Sequence, residues 1–148
     1  MTRLLGVLTA VLLLAACGNG SSPGDAPATR TAQPDTGFVA SERLVSQTAG
    51  GGAVADRATP LPDAAAVAAF TRDFEAALAA KVRAAAGAIS VASGQQLLGQ
   101  VVSVGCDVPP GVTVERDPLA VRADPVASPK KECFAPVTTV ALVVVTAG

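Results

Sequence analysis

The sequence predicts an α+β domain of two layers, in which one amphipathic helix packs on a small, mainly antiparallel sheet in the order β-β-α-β-β-β. Three observations support this. Residues 63–86 are alanine-rich and repeat large apolar side chains at helical spacing, the segments on either side alternate at strand spacing, and Val137–Thr146 is apolar on both faces.

Phe38–Thr48 (FVASERLVSQT) mixes β-branched, aromatic and polar residues, with Leu44, Ser46 and Thr48 on one face of a strand. Ala49-Gly50-Gly51-Gly52 interrupts the chain, and Ala53–Thr59 returns as a second strand to make a hairpin. A phosphate-cradling loop would need a lysine and a hydroxyl residue after its last glycine; here Ala53-Val54 follow.

Pro62 or Asp63 opens the helix, since a missing N–H is harmless there and a carboxylate suits the positive dipole end. Val67, Phe70, Phe74, Leu78 and Val82 then recur at spacings of three and four, while Arg72, Asp73, Glu75 and Arg83 point away from that stripe. Lys81 and Arg83 sit near the negative end, and Gly87 offers a left-handed cap. Because the polar face carries both signs, a core-facing helix fits better than a membrane-surface one.

Leu97–Gly105 (LLGQVVSVG) is rich in strand formers, with Leu98, Val102 and Val104 sharing a face with Gln100. Pro109-Pro110-Gly111 forces a turn before Val112–Val114, and Pro118–Arg122 forms a short edge strand limited by Pro118 and Pro125. Val137–Thr146 (VTTVALVVVT) has the composition of an interior strand.

The N-terminus carries an address. Arg3 precedes an apolar run, Leu4–Ala16, which is too short for the roughly 20 residues that a membrane span requires. The boundary Leu14-Ala15-Ala16-Cys17 resembles the lipobox of bacterial lipoproteins, and the alanine, valine and arginine bias is similar to that of actinobacterial envelope proteins. The resemblance implies cleavage before Cys17 and a lipid on its thiol, so that the membrane is the first partner. Residues 1–16 become a signal peptide, 17–37 the lipidated cysteine with a disordered polar tether, and 38–148 a single extracytoplasmic domain. The twenty residues after Cys17 would span about 25 Å root-mean-square.

The chain has three cysteines. If lipid occupies Cys17, then Cys106 and Cys133 are left to pair in an oxidising compartment, the alternative being two free buried thiols. A bridge between them closes a loop worth about 3.5 kcal/mol on the chain-entropy model.

Composition narrows the chemistry. The chain contains no histidine, which excludes a Ser-His-Asp triad, a Cys-His dyad and any histidine metal site. A net charge of −1 implies no nucleic-acid partner, and no calcium-loop spacing of acids occurs, so neither a metal nor a cofactor is expected. Asp107, Glu115, Asp117, Asp124 and Glu132 gather with Arg116, Arg122, Lys130 and Lys131 around the region between the two cysteines. Without aromatic platforms for sugars, they read as a solvated loop of mixed charge rather than a glycosidase pair. Ser46, Ser90, Ser93 and Ser103 lack a nucleophile elbow, and no motif recommends pairing one with Lys81, Lys130 or Lys131. Cys106 and Cys133 are not a C-x-x-C redox pair.

The expected function is therefore a membrane-anchored, non-enzymatic binding or interaction module that presents its 107–132 loops on a sheet, its ligand unspecified. A structural or assembly subunit docked to an envelope complex is one alternative, and a small histidine-free hydrolase is the other. An exposed apolar sheet face around Val101, Leu142 and Val144 would favour docking.

Overall fold

A computed structural model describes residues 37–147, so the signal segment, Cys17 and the tether lie outside the described residues. The order is β1 (Val39–Thr48), β2 (Thr59–Pro60), α1 (Ala64–Phe70), α2 (Ala76–Gly87), β3 (Gln95–Gly105), β4 (Val112–Arg116), β5 (Leu119–Ala123) and β6 (Val137–Thr146). Four strands form an antiparallel sheet in the order β1-β6-β3-β2, and β4 pairs with β5 in a separate antiparallel sheet.

This corrects the expected architecture. The single helix is two short ones, and the β4–β5 hairpin forms a second sheet, a layer that a two-layer domain does not have. The physical reason lies in β6. Thr138–Val145 are all buried, and successive side chains point to opposite faces, so both faces of the sheet must be covered. Val140, Leu142 and Val144 pack with Val67, Leu78 and Val82 under the helices. Ala141, Val143 and Val145 pack with Leu98, Val102 and Val121 under the β4–β5 hairpin.

The helix divides because Thr71 and the glycine run intervene. Asp63 caps α1, its carboxylate accepting the Ala66 amide at 2.8 Å, as a first-turn acid should. At the other end the Thr71 hydroxyl bonds back to the Val67 carbonyl at 3.0 Å, an alternative to helical continuation. The chain then leaves helical geometry so that the Glu75 amide donates to the Gly50 carbonyl at 2.8 Å and Phe74 bridges to Gly51. Only glycine allows this approach: a Cβ on Gly52 would lie 2.8 Å from the Phe74 ring, and Gly51 and Gly52 take φ of +72° and +75°. Across the break, Phe70 and Phe74 still meet edge to face, their centroids 5.3 Å apart. The apolar stripe therefore survives on two helices instead of one. Gly87 is the last residue of α2 and not a left-handed cap, which Ala88 follows in helical geometry.

The expected β1–β2 hairpin is also corrected. These strands lie at opposite edges of the sheet, and of the expected Ala53–Thr59 only Thr59 joins a strand, which it forms with Pro60 against β3. The glycine-started segment carries the chain across one end of the sheet, where the Thr138 hydroxyl donates to the Gly51 carbonyl at 2.8 Å. It reaches β3 at Ala55, whose amide bonds the Val101 carbonyl at 3.1 Å. Along β3, a bulge between Val101 and Ser103 shifts the register against β6 by one residue. Val104 consequently faces the side opposite to Leu98 and Val102, and not the shared face that alternation predicts.

One buried polar side chain holds the layers in place. Gln100 is 1% exposed, donates to the Ala55 carbonyl at 2.6 Å, and accepts the Val121 amide at 2.7 Å. It thus ties the crossing segment, β3 and the hairpin together through backbone groups that have left water. Gln100→Leu keeps the bulk but orphans both partners, so urea melts should show a loss of about 2–4 kcal/mol. Phe74→Ala, at a half-buried ring, should cost about 2–3 kcal/mol, whereas exposed Glu75→Ala should stay within about 0.5 kcal/mol.

Candidate functional site

The region between the two cysteines does not gather its charges into one centre. Asp107 accepts the Lys130 amide at 2.7 Å and lies 3.7 Å from its ammonium. Glu115 pairs with Arg122 across the hairpin at 3.2 Å, both being exposed, a contact worth little. Asp124 accepts from the Thr113 hydroxyl at 3.0 Å, and the Arg116 guanidinium sits 4.2 Å from the Phe38 ring centroid. Among the described residues no three acids or cysteines are placed to share a metal ion. The carboxylates that the sequence brings together are thus shared out between the outside of the hairpin and its connecting loops.

The serine candidates are dispersed too. The Ser46 hydroxyl pairs with the Thr139 hydroxyl at 3.0 Å, on the sheet face that the hairpin covers. Lys81 reaches the same residue from the helical side, but its ammonium meets the Ser46 carbonyl at 3.4 Å and the Gln47 side-chain oxygen at 2.7 Å. Hydroxyl and amine therefore lie on opposite faces of β1. The sheet face around Val101, Leu142 and Val144 is no docking surface either, since these residues are 4%, 0% and 1% exposed beneath the helices.

Cys106 and Cys133 do come together, with sulfurs 2.12 Å apart and Cα atoms 5.4 Å apart. Cys106 directly follows β3 and Cys133 lies four residues before β6, so the pair clasps the start and end of the segment that carries the hairpin. Exposed apolar side chains flank this end of the sheet: Val104, Val108 and Phe134.

The second feature is an edge. The sheet ends on one side at β2, two residues long, where Pro60 within the strand and Pro62 just after it have no N–H to offer. On the other side it ends at β1, ten residues long. A shallow, open groove of about 560 Å³ lies beside β1, between it and α2, with Arg43, Val45, Lys81, Ala84 and Ala85 among its lining residues. Sequence reasoning missed this site because the mixed polar and apolar residues of β1 do not say which strand it pairs with or what covers its other edge.

No protein-family model matches the chain, and neither the curated proteins nor the solved structures contain a match to it.

Pairing of the cysteines is open to direct test. Peptide mapping without reductant should recover the Cys106 and Cys133 peptides as one species, and reduction should lower stability by about 2–5 kcal/mol. Recovery of both thiols in alkylated form from unreduced protein would refute the bridge.

Proposed function

We propose that the chain is a lipid-anchored extracytoplasmic domain that works by binding a partner at the cell envelope. The observation that carries this reading is the cysteine arithmetic: Cys106 and Cys133 stand at disulfide distance, and Cys17, at the end of the apolar run, is the odd thiol. A disulfide belongs to an oxidising compartment, and a lipid on Cys17 accounts for the remaining sulfur. Residues 18–37, polar and rich in Gly, Ser, Pro and Thr, then serve as the spacer between membrane and domain. The long β1 edge and the exposed side chains near the disulfide supply surface for recognition.

Docking as a subunit of an envelope complex is the second reading. Phe134, fully exposed beside a cysteine, favours it, because exposed aromatic side chains are the usual anchors of protein interfaces.

Metabolic labelling with a clickable fatty acid tests the anchor. The wild-type chain should take up label and fractionate with membranes, and Cys17→Ser should lose the label and move to the soluble fraction. Label retained by the variant would overturn the proposal.

A further inference from the structure

We infer that the outer edge of β1 takes an extended peptide strand of a partner protein, with an acidic side chain of that strand held over the groove by Arg43 and Lys81; this rests on reading the domain as a binding module. The backbone argument comes first. In an antiparallel pair, alternate residues turn their N–H and C=O towards the neighbouring strand and the rest turn them away. The Ala49 amide bonds the Pro136 carbonyl at 2.7 Å, and the register continues as Gln47 with Thr138, Val45 with Val140 and Arg43 with Leu142. Those odd-numbered residues therefore spend their backbone groups on β6. Glu42, Leu44, Ser46 and Thr48 turn theirs outward. The Lys81 ammonium on the Ser46 carbonyl and the Gln47 amide on the Thr48 carbonyl agree with that direction and cover those two acceptors. Among the described residues, the amides of Glu42, Leu44 and Ser46 and the carbonyls of Glu42 and Leu44 remain as a ladder template.

Charge then selects the occupant. Arg43 and Lys81 both line the groove on the helical side, and no acidic side chain lines it with them. Glu42 stands opposite Val143 and so faces the hairpin side of the sheet. Among the described residues Arg43 has no hydrogen bond or ion pair, and Lys81 bonds only neutral oxygens. Two cations without a counter-charge beside a strand template fit a strand that brings a carboxylate, the β-addition mode of peptide recognition. A second copy of this chain fits less well. Antiparallel pairing of β1 with itself, centred on Glu42 or Arg43, would set like charges directly opposite each other, and it would bring two cationic grooves together.

The test uses the full chain purified in mild detergent and labelled eight-residue peptides that alternate valine and threonine, with glutamate, glutamine or lysine at the fourth position. The glutamate peptide should bind at least tenfold more tightly than the lysine peptide, and should slow hydrogen exchange at the amides of Glu42, Leu44 and Ser46. Glu42→Pro removes an outward N–H where an edge strand tolerates proline, so it should weaken binding at least tenfold while leaving thermal unfolding nearly unchanged. Should that variant unfold, the pair Arg43→Glu and Lys81→Glu, both exposed positions, decides instead by reversing the preference towards the lysine peptide. Equal binding of all three peptides, no binding of any, or a dimer whose β1 amides are already protected would overturn the edge proposal. Fatty-acid labelling at Cys17 is read on the same preparation, so loss of peptide binding with the label intact counts against the edge alone.

Discussion

The structure depends on one strand that cannot touch water on either side. β6 is buried from Thr138 to Val145, and burying an aliphatic side chain is worth about 1.5–3 kcal/mol. Leu142 and the four valines of β6 within that span are almost wholly enclosed, so this single strand gathers a large share of the core. Its two faces need two covers, and the chain has few large side chains with which to make them. Four phenylalanines are its only aromatic residues. The helices and the break between them solve one side with Phe70, Phe74, Leu78 and Val82, and the hairpin solves the other with Val112, Val114, Leu119 and Val121. Neither cover is thick, which explains why contacts to the sheet are so close. On Gly99, a Cβ would stand 2.7 Å from Leu61 and 3.0 Å from the Phe70 ring, so the absent side chain is what lets the helical layer settle.

Covering both faces of β6 also determines where the edges fall. The chain enters at β1 on one side of β6 and must reach the far side of β3 before it can return as helices. It crosses at the end of the sheet, and the Gly50–Gly52 run makes the crossing tight: a Cβ on Gly50 would lie 2.8 Å from Leu78. The Gln100 amide then receives the crossing segment at Ala55. One edge is thereby closed by a short pairing that ends in a proline. Beyond the other, β1, only the shoulder of α2 stands among the described residues, and the side chains of Lys81 and Gln47 cover only part of it. A solvated edge of this length is a liability unless something uses or blocks it.

Much of the local structure was legible in the residues, and most of the architecture was not. The stripe Val67, Phe70, Phe74, Leu78 and Val82 faces the core as its spacing demands, because the 3.6-residue period outlasts a break in the backbone. The doubly apolar run Val137–Thr146 is an interior strand for the same kind of reason. What failed was most of what distant partners decide, the pairing of Cys106 with Cys133 excepted. Thr71 and Phe74 look helical by composition, yet the Gly50 carbonyl draws the Glu75 amide out of the helix. The glycine run reads as a hairpin turn, whereas its value is room for a ring. Val104 was assigned by strict alternation, and a bulge one residue earlier reversed it. Gln100 gave no signal at all, since an amide in a strand is ordinary until its two partners are known. The candidate site suffered most: the charges between the cysteines were conspicuous in the sequence but are dispersed in space, and the β1 edge was invisible.

The cysteine pair belongs to the same logic as the two covers. Between Cys106 and Cys133 lie both strands of the hairpin, which touches the rest of the domain through an apolar face and a few backbone bonds, such as Ala58 to Leu119 at 3.2 Å and Val121 to Gln100. A two-stranded hairpin is marginal by itself in water. Joining the ends of its loop beside the two central strands keeps the hairpin near the face it must cover, and so reduces the entropy lost when it docks. The helical cover needs no such clasp, because Thr71 links its two helices through the Arg83 guanidinium at 2.9 Å and a continuous stripe holds them to the sheet. The bridge therefore ties down the layer that has least backbone bonding to the sheet, and the surface it leaves exposed, with Val108 and Phe134, lies at the end of β6 opposite the one where Thr146 meets Phe38.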